Sequence, residues 1–152
     1  MSYDSDCSST FQTQSETAIN VALARWSSVE STAGETLNCI YNKLTGSTKL
    51  YCTDSSSACT TTNPFDTSTA TYAGETVFGH RTFCSNWISG INSDSNLDST
   101  EKSICYAAVV VHETAHACLK FEAGAEEAED AVRAVLNSYY GKSLTDNDCH
   151  ND

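Results

Sequence analysis

The chain has 152 residues, which fits one compact domain with a single hydrophobic core. Its formal net charge is −12, a balance that argues against a nucleic acid or an anionic membrane as partner. No apolar run approaches the roughly 18 residues of a membrane span. We therefore expect a single-domain monomer that uses neither nucleic acid nor membrane.

The cysteines indicate an oxidising environment. Eight are spread over the whole chain, and none forms a CxxC pair of the kind that zinc fingers use. An even number at wide spacing is typical of a disulfide framework in a secreted protein. The expectation is a secreted, extracellular protein with four disulfides, whose connectivity the spacing alone leaves open.

In the first half of the chain, apolar spacing predicts a helix from Phe11 to Val29 and a shorter helix from about Glu35 to Leu44. Lys49 to Cys52 is a candidate strand. The polar stretch from Thr53 to Ala73 has the composition of a disordered segment, although Cys59 lies within it and would hold it in place. This half is therefore mostly helical.

In the second half, Thr76 to Cys84 is the best strand candidate, and Asn86 to Asn96 is predicted to be a loop. The run Asp98-Ser99-Thr100-Glu101 has the form of a capping box and predicts a helix that ends near Lys120. A last helix is predicted from about Glu126 to Tyr140. The chain therefore belongs to the α+β class, with most of its residues in helices.

The run His112-Glu113-Thr114-Ala115-His116 lies within the predicted helix that begins at Asp98. Histidines four residues apart share one helix face, about 6 Å from each other, so both imidazoles can bind one Zn²⁺. Glu113 is rotated by about 100°, where its carboxylate can reach a metal-bound water as general base. Two histidines packed in a core are the alternative, but four histidines in the chain make a chance match rare.

A third ligand must come from elsewhere in the chain. Glu122 follows the second histidine by six residues, as in the metzincin pattern, but Leu119 stands where that pattern has glycine. Gluzincins use a more distant Glu, and none follows Glu129. The downstream residues with a suitable group are Glu122, Glu126, Glu127, Glu129, Asp130, Asp146, Asp148 and His150.

From His116 onward the chain resembles the deuterolysin family of fungal zinc peptidases, the aspzincins. That family has a Gly-Thr-x-Asp-x-x-Tyr-Gly motif shortly after the metal-binding helix. Laid over this motif without a gap, Gly124 matches its glycine, Glu127 its ligand Asp and Asp130 its Tyr. The resemblance covers most of the chain, including the order of its helices, strands and cysteines.

The resemblance implies a single zincin-like domain, α+β and mostly helical, with a small antiparallel sheet and an active-site helix. It implies a zinc metalloendopeptidase that cleaves protein or peptide substrates, with His112, His116 and Glu127 as ligands and Glu113 as base. Asp130 is the nearest competitor of Glu127. It also implies the pairs Cys7–Cys52, Cys59–Cys84 and Cys105–Cys149, leaving Cys39–Cys118. The alternative function is a catalytically weak zinc-binding protein, such as a scavenger, effector or antigen, because the family's Tyr is replaced.

Overall fold

The computed structural model describes residues 1–53, Cys59, residues 74–77 and residues 80–149, with the backbone alone for Glu75 and Val77. The expected disorder of the Thr53 to Ala73 stretch falls almost entirely outside the described residues. His150, a candidate ligand from the sequence, lies outside them too.

Six α-helices form most of the described structure. They are α1 (Ser9–Ala24), α2 (Trp26–Ala33), α3 (Asn38–Thr45), α4 (Ser85–Asn92), α5 (Ser99–Ala117) and α6 (Glu122–Tyr140). The single helix predicted from Phe11 to Val29 is two helices, because the backbone of Arg25 leaves helical geometry at φ −122° and ψ 29°. Helix α4 occupies most of the predicted loop, and α6 begins four residues before its predicted start.

A small mixed sheet packs beside the helices. Its strands are β1 (Ser2–Tyr3), β2 (Lys49–Thr53), β3 (Gly74–Val77) and β4 (His80–Cys84), in the spatial order β1-β2-β4-β3. Strands β1, β2 and β4 are parallel, and only the edge strand β3 is antiparallel to its neighbour. The predicted antiparallel sheet is therefore wrong for two of the three strand pairs in the described residues. The predicted strand from Thr76 to Cys84 is in fact two strands, β3 and β4. Residues 54–73 lie between β2 and this pair, and a connection of that length is long enough for two parallel strands to pair.

Helix α5 lies in the centre of the domain, packed on α1, α6 and the strands. Its residues from Ser103 to Val111 are buried without interruption. Tyr106 stacks edge to face on Phe11, which also contacts Phe83 of β4. The helix begins with the predicted capping box, in which Asp98 Oδ1 accepts from the Glu101 backbone N–H at 2.8 Å and Glu101 Oε1 accepts from that of Asp98 at 3.0 Å.

Four disulfides use all eight cysteines. They are Cys7–Cys52, Cys39–Cys118, Cys59–Cys84 and Cys105–Cys149. Cys7–Cys52, Cys59–Cys84 and Cys105–Cys149 are the pairs that the resemblance to deuterolysins implies, and Cys39–Cys118 joins the two cysteines left over, so the predicted pairing is confirmed. Two of these disulfides hold α5. Cys105–Cys149 is attached to its buried first half, and Cys39–Cys118 to the residue that follows its last turn. This pairing fits a protein that folds in an oxidising compartment.

None of the helices in the described part of the chain is long and apolar enough to cross a membrane.

Candidate metal centre

Two imidazoles meet near the end of α5. The Nε2 atoms of His112 and His116 are 3.2 Å apart, and their side chains are 14% and 23% exposed. The spacing of four residues brings both rings to the same helix face, as the sequence predicts. Both imidazoles are therefore partly accessible to solvent, whereas residues 103–111 and 113–115 of the same helix are buried.

The carboxylate of Glu122 completes this group. Its Oε1 lies 3.0 Å from Nε2 of His112, and its Oε2 lies 3.0 Å from Nε2 of His116. One ligand atom from each of the three residues can be chosen so that all lie within 4.8 Å of one another. Two imidazole nitrogens and one carboxylate form a donor set that suits Zn²⁺ and leaves a fourth position for water or substrate.

The turn between α5 and α6 brings Glu122 to the histidines. Leu119 adopts the left-handed conformation at φ 64°, and the Lys120 backbone N–H then donates to the Ala115 carbonyl at 3.1 Å. The metzincin pattern has glycine at the position of Leu119, because the left-handed conformation costs other residues roughly 1–2 kcal/mol. Leu119 therefore makes the turn, and Gly124, which matches the glycine of the deuterolysin motif, does not. Gly124 instead lies inside α6, beside the Lys120 side chain.

Glu127, the expected third ligand, does not join the group. It is exposed, five residues after Glu122 on the same helix, and therefore rotated by about 140° from it. Its competitor Asp130 is 59% exposed and pairs with Arg133 Nη1 at 2.8 Å instead. The overlay took the last helix to begin at about Glu126, whereas α6 begins at Glu122. The geometry favours Glu122 over Glu127.

The second nitrogen of each imidazole also has a partner. Nδ1 of His116 lies 2.9 Å from the carbonyl oxygen of Lys120, and Nδ1 of His112 lies 2.8 Å from Oε1 of Glu129. Such contacts orient a histidine and select the tautomer that leaves the other nitrogen for a metal. Both Nε2 atoms are therefore directed towards Glu122.

The carboxylates of Glu113, Glu122 and Glu129 compensate positive charge on His112. Burial opposes the charged form of His112, but Glu129 in contact with it and the charges of Glu113 and Glu122 outweigh burial and raise the pKa of His112 to about 9. Burial alone would raise the pKa of Glu129, yet the contact with His112 and the charge of Arg133 lower it. The surroundings of His112 therefore favour a positive charge.

Glu113 lies behind the histidines and is only 5% exposed. Its Oε2 accepts a hydrogen bond from Thr76 Oγ1 at 2.8 Å, so the edge strand β3 fixes the carboxylate. Burial raises the pKa of Glu113, while Thr76 and the neighbouring imidazoles oppose that shift. Gly74 permits the close approach of β3, because a Cβ there would lie 2.6 Å from the Thr82 carbonyl oxygen and 3.4 Å from Cγ of Glu113. A carboxylate in this setting suits a general base.

Sequence reasoning missed the supporting residues of this centre. Thr76 was assigned only to a strand, and Glu129 was considered only as a ligand. One signal was available for Glu129: it follows Glu122 by seven residues, which returns it to nearly the same helix face. No comparable signal pointed to Thr76, because its contact with Glu113 depends on how β3 packs against α5.

Comparisons with protein-family models, with curated proteins and with solved structures found no match. The assignment of the site therefore depends on its geometry.

Proposed function

We propose that the protein is a secreted zinc metalloendopeptidase whose Zn²⁺ is held by His112, His116 and Glu122. One observation carries the proposal: two Nε2 atoms and a carboxylate converge at distances of 3.0–3.2 Å, with the buried Glu113 carboxylate on the adjacent residue. Zinc binding alone does not need Glu113. Its presence beside the histidines, fixed by Thr76, favours hydrolysis over metal storage.

Each residue would have a defined role in hydrolysis. When bound, zinc supplies a Lewis acid that polarises a carbonyl and lowers the pKa of a coordinated water towards 7. Glu113 accepts the proton of the attacking water and can pass it to the leaving amine. Thr76 holds the carboxylate in place by its hydrogen bond to Oε2. The contacts at Nδ1 keep both imidazoles turned towards the metal.

The family relationship is part of the same proposal. The three disulfide pairs that the resemblance implies, Cys7–Cys52, Cys59–Cys84 and Cys105–Cys149, favour a zincin-like domain related to the deuterolysins, whereas Cys39–Cys118 is an additional pair. The third ligand departs from that family, since Glu122 has the metzincin spacing of six residues after the second histidine. We therefore infer a divergent member that takes its carboxylate ligand from the first turn of α6.

A catalytically weak zinc-binding protein is the second candidate. Asp130 favours it, because this residue falls where the deuterolysins have the Tyr thought to stabilise the oxyanion. Asp130 is a carboxylate paired with Arg133, and in that form it cannot donate a hydrogen bond.

Zinc titration of two matched variants tests the ligand set. We expect one zinc per wild-type chain by elemental analysis and competition with a chromophoric chelator. Glu122→Ala should weaken zinc binding by more than about 100-fold, beyond the usual effect of losing an outer partner. Glu127→Ala removes the same side chain from an exposed site and should bind like wild type. If Glu127→Ala weakened zinc binding and Glu122→Ala did not, Glu127 would be the ligand and this proposal would be wrong.

Cleavage of an unfolded protein substrate separates the two candidate functions. A peptidase should release fragments from the substrate, lose this activity with a chelator and regain it with added zinc. Stoichiometric zinc binding without cleavage of any unfolded substrate would favour the binding protein.

A further inference from the structure

A series of contacts extends from Nδ1 of His112, the imidazole nitrogen that does not face Glu122. Glu129 is 3% exposed and lies 2.8 Å from Nδ1 of His112, behind the imidazole as seen from Glu122. A carboxylate buried to this extent is stable only when it is paired. Its pairing with the imidazole therefore fixes both side chains at once.

Arg133 holds the other oxygen of Glu129. It lies one helical turn further along α6, is 5% exposed, and pairs through Nη2 with Glu129 Oε2. A carboxylate held in this way cannot rotate freely about its last bond. Oε1 of Glu129 is thus left facing the imidazole of His112.

Asp146 connects this pair to a different part of the chain. Its Oδ1 lies 2.5 Å from the same Nη2 atom of Arg133 that contacts Glu129. Asp146 belongs to the segment Thr145–Cys149, in which its carbonyl accepts from the Cys149 backbone N–H at 3.1 Å. Cys149 is bonded to Cys105, which precedes His112 by seven residues on α5. The segment is therefore attached to the helix that carries the first histidine.

We propose that Glu129 is a positioning residue for His112, and that Arg133 and Asp146 hold Glu129 in its working orientation. Asp146 acts through Glu129 and makes the segment Thr145–Cys149 part of the metal centre. This inference depends on the proposed zinc site, which it extends to residues without a contact to the metal.

The three carboxylates around Arg133 do not form a second metal site. Oxygens of Glu129, Asp130 and Asp146 lie within 4.8 Å of one another, but all three pair with the guanidinium. A cation placed among them would meet the positive charge of Arg133. Glu129 and Asp146 share the Nη2 atom of Arg133, whereas Asp130 pairs with Nη1.

The experiment compares Glu129→Gln, Asp146→Ala, their double variant and Asp130→Ala as the matched control. Asp130 and Asp146 are 59% and 48% exposed and both pair with Arg133, but only Asp146 shares Nη2 with Glu129. Zinc affinity is measured by chelator competition, and the tautomer of His112 by ¹⁵N NMR of the imidazole. Thermal unfolding of each variant checks that the fold is intact.

Glu129→Gln should lower zinc affinity by roughly 10–100-fold, the range found for outer partners of ligand histidines. It should also shift the ¹⁵N NMR signal of Nδ1 in the zinc-bound protein, because a neutral amide oxygen accepts a weaker hydrogen bond than a carboxylate. Asp146→Ala should cause a smaller loss of affinity, and none when added to Glu129→Gln, because it acts through that residue. Asp130→Ala should leave affinity and tautomer unchanged.

Three results would overturn the inference. Unchanged zinc affinity in Glu129→Gln, while the wild type binds zinc, removes the positioning role alone. Full additivity of the Glu129 and Asp146 effects shows that Asp146 does not act through Glu129. Wild-type protein without zinc affinity removes the metal centre and this proposal together. If Glu129→Gln does not fold, Asp146→Ala tests the proposal by the same two measurements.

Discussion

At the scale of single residues, two neighbouring glutamates of the centre differ in their surroundings. Glu113 is 5% exposed and bonded to Thr76, whereas the side chain of Glu122 is 65% exposed and faces two imidazoles. Burial raises the pKa of the first, as suits a base, and the open position of the second suits a ligand. Position in the fold, not residue type, separates the two roles.

We expect Glu113→Gln to keep zinc and lose nearly all peptidase activity. The amide has almost the same shape and can still accept from Thr76, but it cannot take a proton from water. Loss of a general base typically lowers kcat by 10²–10⁴-fold. Steady-state cleavage of a peptide and zinc content of the same sample measure both effects. Cleavage at the wild-type rate would remove Glu113 from the mechanism.

Sequence spacing was sufficient for His112, His116 and Glu113, because helical periodicity fixes their relative directions. It was not sufficient for Glu122, the proposed third ligand. Residue type gives no sign that Leu119 adopts φ 64°, since side chains other than glycine seldom enter that region. Without that turn, the start of α6 and the direction of Glu122 could not be predicted.

At the scale of elements, the position of α5 depends on its first turn as well as on its buried face. Asp98 caps this turn, and its Oδ2 also pairs with Lys142 Nζ at 2.6 Å. Lys142 follows the left-handed Gly141 that ends α6. One carboxylate thus joins the beginning of α5, which carries both histidines, to the end of α6, which carries Glu122.

Acid should weaken this junction. The hydrogen bond from Lys142 and that from the Glu101 backbone lower the pKa of Asp98 below its ordinary 3.8. A lowered pKa in the folded state means that the stabilisation is present above pH 3.8 and is lost as the pH falls through the folded value. Asp98→Asn keeps a capping oxygen without the charge. Its melting temperature should fall less than that of wild type on acidification from about pH 6 to about pH 2, because it has no carboxylate at this position to protonate. Equal decreases would contradict the assigned role.

The elements themselves were only partly predictable. The capping box located α5 correctly, because it is a local signal with its own hydrogen bonds. Helix α4 was missed because its Gly, Asn and Ser residues are typical of loops, although Trp87, Ile88 and Ile91 bury one face. The predicted strand direction was wrong because strand direction depends on pairing between distant segments, which no local pattern specifies.

At the scale of the whole molecule, the disulfide Cys39–Cys118 fixes the turn that carries Leu119 and Lys120. We expect its replacement by two serines to lower the free energy of unfolding by roughly 2–5 kcal/mol. Zinc affinity should fall as well, because the Lys120 carbonyl orients His116. Denaturant unfolding and chelator competition measure the two effects.

The matched control replaces Cys59–Cys84, which includes no residue of α5 or α6. This double variant should lose stability and keep its zinc affinity. A loss of zinc affinity of equal size in both variants would show that general destabilisation, rather than the turn at Leu119, explains the effect.

The covalent anchoring of α5 should affect how the proposed zinc ion is gained and lost. Cys105 and Cys118 cross-link the helix on both sides of the histidines. Many small zinc domains order their backbone only when the metal arrives. Here we expect a preorganised helix, so that the amides of residues 105–117 remain protected from hydrogen exchange after zinc is removed by a chelator. Rapid exchange of these amides in the stripped protein would contradict this. Added zinc should then raise stability only by mass action, and the chain can be emptied and refilled without unfolding.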